Sequence, residues 1–101
     1  MEITFLGTGT STGIPLIGSN HPVCKSKNIK DKRLRSSILV CWDDYSFIID
    51  TGPDFRQQML RTKQNKIDAV LYTHEHSDHT SGIDDLRGFC FKQGEIPIYA
   101  H

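Results

Sequence analysis

Thr73-His74-Glu75-His76-Ser77-Asp78-His79 places three imidazoles and the carboxylate of Asp78 within six positions, counted from His74. All four are good ligands for a divalent ion such as zinc. His74 and His76 are two residues apart, so in an extended segment their side chains leave the same face and converge on one ion. Asp78 and His79 follow at a different angle once the chain turns, in position to hold a second ion. A helical zinc site of the His-Glu-x-x-His type is excluded, because Asp78 stands where its second histidine would be. The plain alternative is a polar loop whose histidines only cap a helix.

Working outward, Ile67 to Thr73 carries Ala69-Val70-Leu71-Tyr72 and reads as a buried strand that delivers the chain to His74. After the cluster, Ile83, Leu86, Phe89 and Cys90 recur at helical spacing, predicting one helix from His79 to about Lys92 with a loose start at Ser81-Gly82. Gly94 ends it, and Ile96-Pro97-Ile98-Tyr99 opens another strand. On the other side, Ser36 to Asp50 reads as a hairpin turning at Asp43-Asp44, its apolar Phe47-Ile48-Ile49 run predicting a central strand buried on both faces. Asp50 ends that run before Thr51-Gly52-Pro53. There it can orient a ligand imidazole or neighbouring amides, or serve only as an Asx-type turn residue. Asp54 is placed to N-cap a helix reaching about Arg61, with Phe55, Met59 and Leu60 facing the core.

Met1 to Leu6 alternates Ile3 and Phe5 with Glu2 and Thr4, a strand with one buried face. The following Gly7, Gly9 and Gly13 imply a tight turn with a close backbone approach. Their spacing does not match a dinucleotide-binding G-x-G-x-x-G, and Ile14-Pro15 falls where its helix would start. Ile14 to Asn28 reads as an irregular loop, in which His21 and Cys24 are two candidate ligands that cannot by themselves close a zinc site. The basic run Lys25 to Arg35 reads as a solvated, mobile face, with substrate binding as the alternative.

At 101 residues, with 12 basic and 12 acidic side chains, the chain amounts to at most one small domain without a general field for nucleic acid or membrane surfaces. Apolar content of 37% suits a globular chain. No run of apolar residues is long enough to span a bilayer and no leader pattern opens the chain, so the expected compartment is the cytoplasm. Cys24, Cys41 and Cys90 are widely separated and predict free thiols.

These stretches together resemble the metallo-β-lactamase superfamily of metal-dependent hydrolases: Leu6-Gly7-Thr8-Gly9, Ile49-Asp50-Thr51-Gly52 and His74-Glu75-His76-Ser77-Asp78-His79 occur in the family's order. The Gly7–Pro15 loop, Arg33-Leu34-Arg35-Ser36-Ser37 and Gly82-Ile83-Asp84-Asp85-Leu86-Arg87 look like the branch that contains the cyclic phosphodiesterase of phosphonate breakdown, with the transfer-RNA 3′-processing endonucleases as more distant relatives. The resemblance implies an α/β (α+β) fold, an αββα sandwich of which residues 1–101 form the N-terminal half. It implies that His74 and His76 bind a first zinc, that Asp78 and His79 help bind a second, with Mn²⁺ as the alternative metal, and that Asp50 braces the metal loop. In that phosphodiesterase a three-cysteine loop holds a structural zinc. Here Ser19 and His21 replace the first two cysteines and only Cys24 matches. The family's remaining ligands normally lie in a second half of similar length.

The expected activity is hydrolysis of a small phosphodiester or nucleotide-like substrate by a dinuclear, zinc-activated hydroxide, with Asp78 also accepting or relaying a proton. Nucleic acid is a substrate the net charge does not indicate. Two alternatives are carboxyl-ester or thioester hydrolysis on the same fold, and a non-catalytic metal-binding half-domain whose open strand edges favour homo-oligomers.

Overall fold

The computed structural model describes residues 1–101. In chain order it contains β1 (Glu2–Gly7), a helical turn α1 (Pro22–Lys25), β2 (Ser37–Trp42), β3 (Tyr45–Ile49), α2 (Phe55–Thr62), β4 (Ala69–Leu71), a helical turn α3 (Ser77–Thr80), α4 (Arg87–Gln93) and β5 (Ile98–Tyr99). The strands form one five-stranded sheet in the order β1-β2-β3-β4-β5. The first three are antiparallel neighbours, whereas β3–β4 and β4–β5 are parallel. Parallel neighbours need a crossover, and α2 and α4 supply the two crossovers. This is the helix-on-sheet half of the αββα sandwich, with β3 in the middle as its apolar run predicts.

The core lies on one face only. Leu6, Leu39, Ile48 and Val70 from the sheet meet Phe55 and Met59 of α2, Ile67, Leu86, and Phe89 of α4. Ile48, Ile67 and Val70 are fully buried, each contributing about 1.5–3 kcal/mol of apolar burial. Ile3 and Phe5, which alternation assigns to the buried face of β1, are instead 52% and 67% exposed. Leu6 belongs to the opposite parity, and the helices cover that parity. For the same reason Phe47 and Ile49 are half-buried and β3 is covered on one face, not two.

Helix α2 buries Phe55, Gln58 and Met59 at helical spacing. Leu60 falls off that stripe and is 62% exposed, contrary to the sequence expectation. Asp54 sits at the N-cap position but makes no side-chain capping bond. Its carboxylate accepts the Arg35 backbone N–H at 2.8 Å and the Arg35 guanidinium at 3.1 Å, and a charge-assisted partner outcompetes a neutral cap. Arg35 also donates Nε–H to the Ser11 carbonyl at 3.1 Å, and Gly9 N–H donates to Leu34 at 2.7 Å. The basic run is therefore solvated only in part, because Arg35 ties the glycine turn to the start of α2. This is the close backbone approach that the glycines imply.

The single helix expected from His79 to Lys92 is three pieces: α3, a 3₁₀ turn at Ile83–Leu86, and α4. The chain leaves the helical path where Gly82 N–H donates to the Thr51 carbonyl at 2.9 Å. Leu86 and Phe89 still reach the core, while Ile83 is 45% exposed. No helix is long and apolar enough to cross a membrane.

The neighbouring residues Met59 and Leu60 test this placement. Met59→Ala should cost about 2–4 kcal/mol in urea unfolding, whereas Leu60→Ala should stay within about 0.5–1 kcal/mol.

Candidate metal centre

The candidate site forms where the C-terminal ends of β3 and β4 meet the single turn of α3. Asp50 N–H donates to the Leu71 carbonyl at 2.9 Å, which carries the β3–β4 pairing one residue past the strands. Asp50 then turns into the left-handed region at φ 66°, a conformation that aspartate tolerates better than most side chains. The turn aims a carboxylate from the central strand across at the histidine segment.

That carboxylate is buried, 4% exposed, and heavily bonded. Its Oδ1 accepts the Thr73 backbone N–H at 2.8 Å. Its Oδ2 accepts the Thr73 hydroxyl at 2.7 Å and faces His79 Nδ1 at 2.7 Å. A buried carboxylate survives only with such donors around it. Asp50 thus holds two points of the histidine segment, one before and one after the turn.

Two glycines let the loop after β3 and the turn of α3 lie against each other. A Cβ on Gly52 would stand 2.2 Å from the Asp78 carbonyl oxygen, and one on Gly82 would stand 2.0 Å from the Gly52 carbonyl oxygen. Between them Thr51 N–H donates to the His79 carbonyl at 2.8 Å. The Thr51 hydroxyl also meets the Tyr72 hydroxyl. Burial pushes the Tyr72 phenol above its ordinary pKa, so it stays neutral at physiological pH.

His74 and His76 leave the extended segment with ring centroids 4.6 Å apart, and His79 comes back to 4.1 Å from His74. The structure therefore gathers the three imidazoles, with His79 packed on His74 across the turn. Asp78 joins through His79, with Oδ2 3.1 Å from Nε2. His76 holds the N-cap position of α3 but makes no side-chain capping bond. As they stand, no three of the chain's His, Cys, Asp and Glu side chains close a ligand set around one point.

The chemistry of the donors fits a divalent metal all the same. His79 lies between two carboxylates, with Asp50 Oδ2 2.7 Å from its Nδ1 and Asp78 Oδ2 3.1 Å from its Nε2, and ring nitrogens beside carboxylate oxygens are the donor types that a divalent ion such as zinc takes.

His21 and Cys24 lie elsewhere, at α1, with no third donor. His21 Nδ1 accepts the Val23 N–H at 3.1 Å, and Cys24 Sγ accepts the Leu16 N–H at 3.4 Å. Bonding to the Ser19 hydroxyl, then to Leu16, holds the half-buried thiol below its ordinary pKa. The sequence reading passed over Thr73, Arg35 and the Gly52–Gly82 contact. Thr73 had a visible signal, since it is the hydroxyl directly before the first histidine. The other two are long-range contacts without a local pattern.

The Beta-lactamase superfamily domain matches residues 45–101, and the chain belongs to that family. It is 48% identical over 101 residues to an octanoyltransferase of Porphyromonas gingivalis, covering 99% of this chain and 20% of that protein. It is 33% identical over 104 residues to ribonuclease Z of Bacillus subtilis, covering 98% of this chain and 30% of that protein. Among solved structures, a diphosphatase from the PhnP family superposes with a TM-score of 0.93 at 47% identity, covering 98% of this chain and 41% of that one. Human tRNase Z, short form, shares the fold at 24% identity and a TM-score of 0.69, covering 98% of this chain and 33% of that one. The chain thus spans between 20% and 34% of the length of the curated relatives it matches.

Two outcomes follow from the packing. Gly52→Ala should destabilise by about 1–3 kcal/mol, whereas Gly88→Ala, with nothing near its added Cβ, should be neutral or stabilising by up to about 1 kcal/mol. Asp50→Ala, which strands three buried or half-buried donors, should cost about 2–3 kcal/mol in the same unfolding measurement.

Proposed function

We propose that the protein is a metal-dependent hydrolase acting on a phosphodiester or a closely related phosphate linkage, with zinc as the first choice of metal and manganese as the alternative. The observation that carries this reading is the gathering of the His74, His76 and His79 rings, with His79 held by the buried carboxylate of Asp50 and by Asp78 at the rim. His74, His76, Asp78 and His79 would hold the ions, two in the complete site. Bound, such a pair supplies a water acidic enough to ionise near neutral pH and positive charge for phosphoryl oxygens.

The chain's own residues do the rest. Asp50 fixes the His79 ring by accepting its Nδ1–H and keeps the loop before His74 in place through the Thr73 amide. Asp78 stays partly open to solvent, so its carboxylate can take the proton released when water attacks and pass it outward. Local positive charge at the site would attract an anion to a protein whose formal net charge is zero. This favours a small phosphodiester or nucleotide-like substrate over a long nucleic acid held by a basic surface.

The relatives lean the same way. The PhnP-family structure is described as a diphosphatase and the Bacillus protein as ribonuclease Z, and both act on phosphate linkages by their names. The octanoyltransferase name points to acyl chemistry, but the aligned residues are one fifth of that protein. The ribonuclease Z proteins match this chain over the same length, so the octanoyltransferase name does not by itself favour acyl chemistry for it.

The test uses bis-p-nitrophenyl phosphate beside carboxyl-ester and thioester substrates, with Zn²⁺ or Mn²⁺ supplied. The phosphodiester should be cleaved, chelation should abolish the activity, and His76→Ala should lower it more than about a hundredfold. Equal rates with and without His76, or preference for the esters, would contradict the proposal.

A further inference from the structure

The hydroxyl of Thr73 stands between two groups. On one side it lies 2.7 Å from Asp50 Oδ2, and on the other 2.9 Å from His74 Nδ1. A hydroxyl has one proton to give, and an ionised carboxylate can only accept. The shorter contact, to a charged acceptor, therefore takes the hydroxyl proton. The oxygen that remains toward His74 is an acceptor, so the ring must present an N–H at Nδ1. His79 is under the same rule, because its Nδ1 also faces Asp50 Oδ2 at 2.7 Å.

We propose that Thr73 is a positioning residue that extends the reach of Asp50 to His74: one carboxylate oxygen holds the Nδ1–H of His79 directly and that of His74 through one hydroxyl, which sets His74 as its Nδ1–H tautomer and leaves its Nε2 atom as a lone-pair donor. His74 makes no direct bond to the carboxylate as His79 does, and the threonine hydroxyl links the two. The backbone N–H of Thr73 bonds separately to Oδ1 at 2.8 Å, so the loop stays braced when the hydroxyl is removed. Thr73 itself is exposed, and a β-branched side chain there has few rotamers to lose in pointing the hydroxyl inward. What the freed Nε2 of His74 binds rests on the metal reading above; the tautomer does not.

The experiment compares the wild type with Thr73→Val, which is isosteric but lacks the hydroxyl, and Thr73→Ser, which keeps it. Long-range ¹H–¹⁵N correlation of the histidine rings in metal-free protein, at a pH where the rings are neutral, reads the tautomers directly. His74 should be an Nδ1–H ring in the wild type and in Thr73→Ser, and a mixture or the Nε2–H form in Thr73→Val, while His79 is unchanged in all three. Zinc affinity, measured by competition with a chromophoric chelator, should fall about ten- to a hundredfold in Thr73→Val and recover in Thr73→Ser. An unchanged His74 tautomer in Thr73→Val would overturn the relay. A tautomer shift with unchanged zinc affinity would overturn its part in metal binding. A tautomer shift in proteins of which none binds zinc would support the relay and overturn the metal-centre reading instead.

Discussion

A buried carboxylate that must be fully bonded is the constraint on which the rest of this structure turns. Asp50 stands at the end of the central strand in a left-handed conformation and is almost wholly removed from solvent. Burying a charge in that way costs several kcal/mol unless donors surround it. The donors come from one short segment, Thr73 by two groups and His79 by one. The ion-like demand of a single side chain therefore folds the histidine loop back on itself. His79 comes back onto His74 because Thr73 before the turn and His79 after it bond the same carboxylate.

The parallel pairing of β3 with β4 is what makes the meeting reproducible. Phe47, Ile48 and Ile49 lie opposite Ala69, Val70 and Leu71, so the two strands end side by side and their following residues emerge at the same edge. Parallel sheets place ligand sites at the carboxyl ends of their strands for this reason. The core beneath is rigid, with Ile48 and Val70 fully buried. The contact of Gly52 with the Asp78 backbone and of Gly82 with Gly52 locks the loop to the turn without intervening side chains. A site carried on such elements keeps its geometry better than one on a free loop.

Much of this was legible in the sequence because it is written locally. The apolar run ending in Asp50, the strand ending before His74, and the hairpin turn at Asp43-Asp44 all have short-range signatures, and the strands are where those signatures put them. The faces were less legible. Ile3 and Phe5 alternate as a buried face would, yet which parity the helices cover is decided by packing far along the chain. The break near Gly82 and the capture of Asp54 by Arg35 are likewise long-range outcomes, since each local signal, helical spacing or an N-cap residue, was overridden by a stronger partner elsewhere. In the site, the ligand-type residues were visible as a motif. Their second support, the Thr73 hydroxyl, becomes visible only when Asp50, 23 positions earlier, is seen to touch it.

The central claim is that Asp50 gathers these imidazoles so that they can share a metal. Crystals of the protein grown with zinc and measured on both sides of the zinc absorption edge test it most directly. The account predicts an anomalous peak about 2.0–2.2 Å from ring nitrogens of His74 and His76, with His79 still bonded to Asp50. Rings that diverge, with no peak near them while zinc is present in the crystal, would contradict it.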